Sequence, residues 1–229
     1  DDRFWDKLEA AIELKVPALS FTFGFPPGEV VARLRREGIA VLATVATAAD
    51  ARAAASGGAQ ALICQGPKAG GHRAMFDQTA PEPGGSLAEL IAQVRPLGLP
   101  IIAAGGISTR EQALAALNAG ADAVAAGTLF LCATEAGTNE PYRRALREGT
   151  RSTALTRAYS GRLARGLVTE FMTRHANAPA CYPCVNAMTK PIRSAATAEG
   201  DADRMSLWAG EDYVVAEASA AQLLERLRG

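Results

Sequence analysis

The side chain in this sequence best suited to move a proton is His72. Only two histidines occur, and an imidazole titrates close to neutral pH. His72 stands in Gln65-Gly-Pro-Lys-Ala-Gly-Gly-His72-Arg73, straight after the apolar run Ala61-Leu-Ile-Cys-Gln65. The plain alternative is a solvated loop histidine. Its neighbours Lys68 and Arg73 read either as surface charge or as cations that attract an anionic substrate. His175 lies in a turn-rich region and reads as structural or solvent-facing.

Two glycine-bearing segments offer a second kind of chemistry. Ala103-Ala-Gly-Gly-Ile-Ser108 places Gly105 and Gly106 between an apolar run and a helix start, and Ala125-Ala-Gly-Thr128 does the same for Gly127. Glycine lets backbone approach a ligand, and N–H groups at a helix start favour an anion. Gly106 and Gly127 are 21 residues apart, the length of one compact βα unit. Adjacent glycine-bearing strand ends match the phosphate site of a (β/α)8 barrel. Either segment alone could be only a tight turn.

The elements that must position these residues alternate. Strands are expected at Val16–Phe23, Ile39–Thr47, Ala61–Gln65, Leu99–Ala104 and Ala123–Leu131. Helices are expected at Pro27–Glu37, after Thr47, from Ser86 to Arg95, from Ser108 to Gly120, and over about 140–148. Thr47/Asp50, Ser86/Glu89 and Ser108/Glu111 read as capping boxes. The apolar runs are near-continuous, which predicts parallel strands buried on both faces. After Gly149 the pattern changes. Thr150–Gly210 shows no clear strand and reads as a helical lid, with a last helix over Ser219–Leu227. The expected division is therefore residues 1–150, a partial barrel, and 151–229, a lid and substrate region. The expected class is α/β, of the (β/α)8 TIM-barrel type, with about five βα units in this chain.

Composition removes other classes. Lys+Arg and Asp+Glu are both 24, so the chain is not a generally basic nucleic-acid binder. Apolar residues at 48% and charged residues at 21% indicate a globular chain rather than a disordered one. The apolar run Ala123–Ala133 is far short of the ~18 residues of a membrane span. Four cysteines in a chain of 229 residues do not make a disulfide scaffold, which points to a reducing, cytoplasmic setting. Cys64 and Cys132 read as small buried hydrophobes. Cys181-Tyr-Pro-Cys184 has CxxC spacing, but no further ligand stands at a usual distance for zinc. It reads as a loop, with metal binding or redox work as minor alternatives, and no metal is expected.

The ordered set of motifs resembles the nitronate monooxygenase (2-nitropropane dioxygenase) family. The resemblance runs from about Pro17 to Tyr213. It rests on Ser20-Phe-Thr-Phe-Gly24, Val41-Leu-Ala-Thr-Val45, Gln65-Gly with Ala69-Gly-Gly-His72-Arg73, Ile102-Ala-Ala-Gly-Gly-Ile107, Gly127-Thr-Leu-Phe-Leu131 with Glu135, and Leu207-Trp-Ala-Gly210. It implies an FMN enzyme on a TIM barrel that oxidises nitronates with oxygen to carbonyl compounds and nitrite. Gln65, Gly70 and Gly71 would lie near the flavin. Gly105 and Gly106, with Ala125, Ala126, Gly127 and Thr128, would form the phosphate side through backbone N–H groups and the threonine hydroxyl. His72 matches the family's active-site histidine. It would act as base toward neutral nitroalkanes or hold the nitro group when protonated.

The sequence also departs from the family. Lys68 stands where a glutamate is usual, Ala125 where glutamine is frequent, and Glu211 where Ala-Gly-Gln is expected. Family members begin with roughly three further βα units. Two alternatives accompany the resemblance: a flavin-dependent enoyl-acyl-carrier-protein reductase, which shares Gly-Gly-His, and a non-catalytic incomplete barrel. Open strand edges leave a homo-oligomer as a further expectation.

Overall fold

The computed structural model describes residues 3–228. Helix α1 (Phe4–Glu13) precedes a run of strand–helix units: β1 (Ala18–Phe21), α2 (Gly28–Arg36), β2 (Ala40–Val45), α3 (Ala48–Gly57) and β3 (Ala61–Gln65). The loop after β3 carries the two-residue β4 (Gly71–His72) before α4 (Leu87–Val94). Then follow β5 (Ile101–Ala104), α5 (Arg110–Asn118), β6 (Ala123–Ala125) and α6 (Glu140–Glu148). The last part holds β7 (Thr153–Thr156), β8 (Ala164–Leu167), α7 (Glu170–Arg174), α8 (Cys184–Glu199) and α9 (Ala220–Arg228).

Side-chain caps fix where several helices start. Thr47 Oγ1 accepts from Asp50 N–H before α3, and Ser86 with Glu89 forms a full capping box before α4. The box at α5 lies one residue later than Ser108/Glu111. Thr109 is the cap and Gln112 its partner, because the Gln112 amide oxygen reaches both Ser108 and Thr109 N–H.

Five strands form one parallel sheet in the order β1-β2-β3-β5-β6. Its helix-facing residues, among them Val45, Leu62, Cys64, Ile101 and Ala103, pack against Ala51, Ala54, Leu90, Ile91, Val94 and Ala113 in one buried cluster. The expectation of strands buried on both faces does not hold. Burial alternates along β2, β3 and β5. The second face, with Thr44, Gln65 and Ala104, opens on a cavity instead of a second helix layer.

Two further expectations are corrected. The strand expected to run to Leu131 ends at Ala125. Gly127 then turns the chain into a 3-10 helix over Thr128–Cys132, which buries Leu129 and Cys132. The region after Gly149 is mainly helical, but it also contains β7 and β8. They pair antiparallel with each other, and β8 pairs with β4. Ala-Arg-Gly-Leu has little local strand preference; it becomes a strand because β4 and β7 flank it.

Candidate functional site

One row of register partners, Gln65–Ala104–Ala125, crosses the C-terminal ends of β3, β5 and β6. Each strand then enters a glycine-bearing turn. These turns surround a cavity of about 490 Å³ lined by Gln65, Gly70, Gly71, Gly105, Gly106, Ala125, Ala126, Gly127 and Thr128. All nine positions singled out in the sequence beside His72 thus meet at one site.

The glycines there differ in role. Gly105 and Gly106 have φ of 100° and 71°, where a Cβ is disfavoured. A Cβ at Gly105 would lie 2.7 Å from Ala69 Cβ, and one at Gly106 2.9 Å from Lys68 Cβ. Gly105 lets the β5 turn close on the Ala69 backbone, and Gly106 lets it pass the Lys68 side chain. Gly127 is different: a Cβ there would meet nothing within 4 Å, and its φ is −114°. Space, not conformation, is what it provides. Among the described residues, no acceptor meets the backbone N–H of Gly106 or Gly127. Gly210 N–H donates to Thr128 Oγ1 at 3.0 Å, which leaves the hydroxyl proton of Thr128 available. The N–H groups of Ser108 and Thr109 are already taken by Gln112. The N–H groups left free to meet an anion are therefore those of the turns rather than those at the start of α5.

Gln65 lines the cavity with its amide largely committed. Its Nε2 donates to His72 O at 2.9 Å, and Ala74 N–H donates to its Oε1 at 2.9 Å. It holds the loop that presents His72.

His72 sits in β4, paired to Ala164 of β8. Its ring is packed by Trp208 (5.2 Å between centroids), Phe23 (5.8 Å) and Tyr182 (6.3 Å). Tyr142 O–H donates to Trp208 O and anchors that segment beside the cavity. Phe23 has a φ of 73°, a strained region for an aromatic residue, and the Arg162 guanidinium lies 4.0 Å over its ring. Burial, followed by the positive charges of Arg162 and Arg193, pushes the His72 pKa down to about 4. The imidazole is therefore neutral at pH 7.

His72 Nε2 is 2.8 Å from Ser160 Oγ. Ser160 Oγ also receives Arg162 N–H at 3.2 Å and donates to Arg162 O at 3.1 Å. With its proton given to Arg162 O, the serine accepts from the ring. That selects the tautomer with Nε2–H and leaves the lone pair on Nδ1.

The charged neighbours Arg73 and Lys68 are both paired with carboxylates. Arg73 is 1% exposed. It donates to Gly66 O at 2.9 Å and pairs with Glu82 at 2.9 Å. Lys68 pairs with Asp212 at 2.6 Å, and Glu211, which lines the cavity, lies 3.6 Å from Arg165. The departures Lys68 and Glu211 thus each have a charge partner where the Lys68 loop meets residues 209–212. Ser160, Tyr182 and Phe23 carried no assigned role in the sequence. Phe23 and Trp208 lay inside motifs that carried the resemblance, whereas nothing local marks Ser160.

The other expectations also have a place. Cys64 and Cys132 are buried free thiols, and burial pushes Cys64 up to about 12. His175 is exposed and packs on Phe171. Among the described residues, no helix is long and apolar enough to cross a membrane.

Comparison with known proteins agrees with this arrangement. The family model for nitronate monooxygenase matches residues 1–228. A nitronate monooxygenase of Pseudomonas aeruginosa is 41% identical over 238 residues, covering 97% of this chain and 66% of that protein. The structure of nitroalkane oxidase from Streptomyces ansochromogenes matches with a TM-score of 0.96 at 44% identity, over 100% of this chain and 67% of that one. FabK from Thermotoga maritima matches with a TM-score of 0.77 at 26% identity, over 100% and 72%. The chain therefore spans about two thirds of the length of the relatives it matches.

Proposed function

The chain belongs to the nitronate monooxygenase family, and from that premise we propose that it binds FMN and oxidises nitronates with oxygen to a carbonyl compound and nitrite. The observation that carries this reading is that one cavity is lined by two open glycine turns and by Trp208, the ring on which the half-buried, neutral His72 packs.

The residues present fit FMN. A cavity of about 490 Å³ lies within the ~300–1,000 Å³ of cofactor sites. The space at Gly127, the free N–H groups of Gly106 and Gly127, and the Thr128 hydroxyl suit a phosphate. Gly105, Ala125 and Ala126 would complete that side, and Gly70, Gly71 and Gln65 would border the ring system. When bound, the flavin supplies the electron-transfer chemistry and the reaction with oxygen.

The chain's own residues handle the proton and the solvent. His72, neutral at pH 7, takes the carbon-bound proton of a neutral nitroalkane at Nδ1. Ser160 holds the ring in the required tautomer. Phe23, Tyr182 and Trp208 exclude water from the imidazole, which keeps it unprotonated. In this reading residues 1–150 carry the flavin face and 151–229 cover it. The free cysteines fit a cytoplasmic setting.

The test is a visible spectrum of the purified chain before and after adding FMN, followed by oxygen uptake and nitrite release with a nitronate. A bound-flavin spectrum with nitrite release is expected. His72→Ala should keep the flavin and lose turnover of the neutral nitroalkane. A folded chain that takes up no flavin would overturn the proposal. NADH consumption with an enoyl thioester would replace it with the reductase reading.

A further inference from the structure

Cys181 and Cys184 are the one sequence motif that the flavin chemistry leaves unused. Both are free, Cys181 half-buried and Cys184 exposed. Cys184 is the first residue of α8, and Val185 N–H donates to Cys181 O at 3.0 Å. The backbone between the two sulfurs is thus coiled through one helical turn. Residues three apart on such a turn share a side, with Cβ atoms about 5–6 Å apart. Cα atoms about 4.4–6.8 Å apart are what a disulfide spans. The neighbouring Cys184 thiol pushes the Cys181 thiol up, in keeping with two sulfurs on one side of the same turn.

The surroundings suit thiol chemistry and link it to the His72 pocket. No side chain caps α8, and its first turn holds no acidic residue, so nothing there opposes negative charge on the exposed sulfur. A Cβ on Gly161 would lie 2.6 Å from Cys181 C and O. The Cys181 backbone therefore rests directly on the turn that carries Ser160. Tyr182, between the cysteines, donates its N–H to Gln78 Oε1 at 3.0 Å and sets its ring 5.9 Å from Phe23 and 6.3 Å from His72. Among the described residues, no group of three or more metal-ligating side chains is gathered. Two-electron thiol chemistry is what this pair can perform unaided.

We propose that Cys181 and Cys184 are a redox-active dithiol, oxidised by a small-molecule disulfide, and that Tyr182 carries the change to the His72 pocket. The exposed Cys184 sulfur attacks one sulfur of RS–SR as a thiolate, forms a mixed disulfide and expels RS⁻. Cys181 then attacks the Cys184 sulfur and expels the second RS⁻. The Cys181–Cys184 bond forms, and two electrons pass to the small disulfide. Both thiol protons end on two RSH. This step needs no flavin and stands apart from the nitronate reading.

The test equilibrates the full chain with defined ratios of reduced and oxidised glutathione, traps free thiols by alkylation and maps the peptides by mass spectrometry. The expected result is loss of two hydrogens from the peptide carrying both cysteines, in a single transition that dithiothreitol reverses. Cys181→Ser should stop at a glutathione adduct on Cys184. A wild-type chain that keeps such an adduct without closing the ring overturns the proposal, as does one that stays unmodified at every ratio. Oxidation should also shift the His72 ring resonances in wild type and leave them in place in Cys184→Ser. Unshifted resonances in an oxidised wild-type chain overturn the link through Tyr182.

Discussion

His72 Nε2 lies 2.8 Å from Ser160 Oγ, although 88 residues separate them in sequence. The contact joins the loop after β3 to the turn before β8. It orients a ring that three aromatic side chains otherwise hold only by packing. Ser160 is thus a positioning residue for His72.

Ser160→Ala should lower kcat for a neutral nitroalkane about ten-fold, the ~1.4 kcal/mol of one lost hydrogen bond. FMN affinity should stay unchanged, because Ser160 is not among the residues lining the cavity. Nitronate turnover, which needs no base, should fall less. Equal losses on both substrates would remove the positioning role.

The pH dependence follows from the burial of His72. Its folded pKa is about 4, against about 6.5 for a free imidazole. Between those values the unfolded chain binds a proton that the folded chain does not. Stability should therefore fall as pH drops from about 6.5 to about 4 and level off below. Urea unfolding across that window should show the slope in wild type and a shallower one in His72→Gln. Base-dependent activity should break near pH 4 on its acid side. A break near the free-imidazole value would mean that the ring is solvated.

Gly127→Val separates ligand space from backbone conformation. At Gly127 φ is −114° and a Cβ meets nothing within 4 Å, so the folded chain should accept valine at little cost. If a phosphate occupies that space, FMN affinity should drop by at least about ten-fold, roughly 1.4 kcal/mol. Titration of the flavin absorbance measures it, and unchanged affinity would sink the phosphate assignment. Gly106→Val is a poorer probe, since its φ of 71° and the nearby Lys68 Cβ add strain.

Arg73 is a structural cation rather than a substrate attractor. Arg73→Ala would leave Glu82 without its partner and free the Gly66 carbonyl. The expected loss is about 3 kcal/mol of unfolding free energy, measured in urea. Lys68→Ala removes only an exposed pair with Asp212 and should cost under about 1 kcal/mol. Comparable small losses for both would return Arg73 to the surface charges.

Much of this arrangement was legible locally. Apolar runs marked the five parallel strands because a covered strand has to be apolar. Ser86 with Glu89 marked the start of α4 because a capping box is a contact within one helical turn. The glycines at 105, 106 and 127 stood out because they follow apolar runs at strand ends, with Gly106 and Gly127 spaced 21 residues apart, one βα unit. His72 stood out by rarity and by its place after Gly-Gly.

Other features depend on partners distant in sequence. The strand β8 exists because β4 and β7 flank it, not because Ala-Arg-Gly-Leu prefers extension. The alternating burial of β2, β3 and β5 came from a cavity on one face, which an apolar run does not reveal. Arg73 and Lys68 look alike as neighbouring cations, yet one is buried against Glu82 and the other is exposed beside Asp212. What the sequence by itself determined were the periodic, local elements and the residue types at strand ends. Only the tertiary structure decided the tautomer and pKa of His72, because Ser160, Arg162, Tyr182 and Trp208 reach it from segments 88 to 136 residues further along the chain. Desolvation and hydrogen bonding act through space.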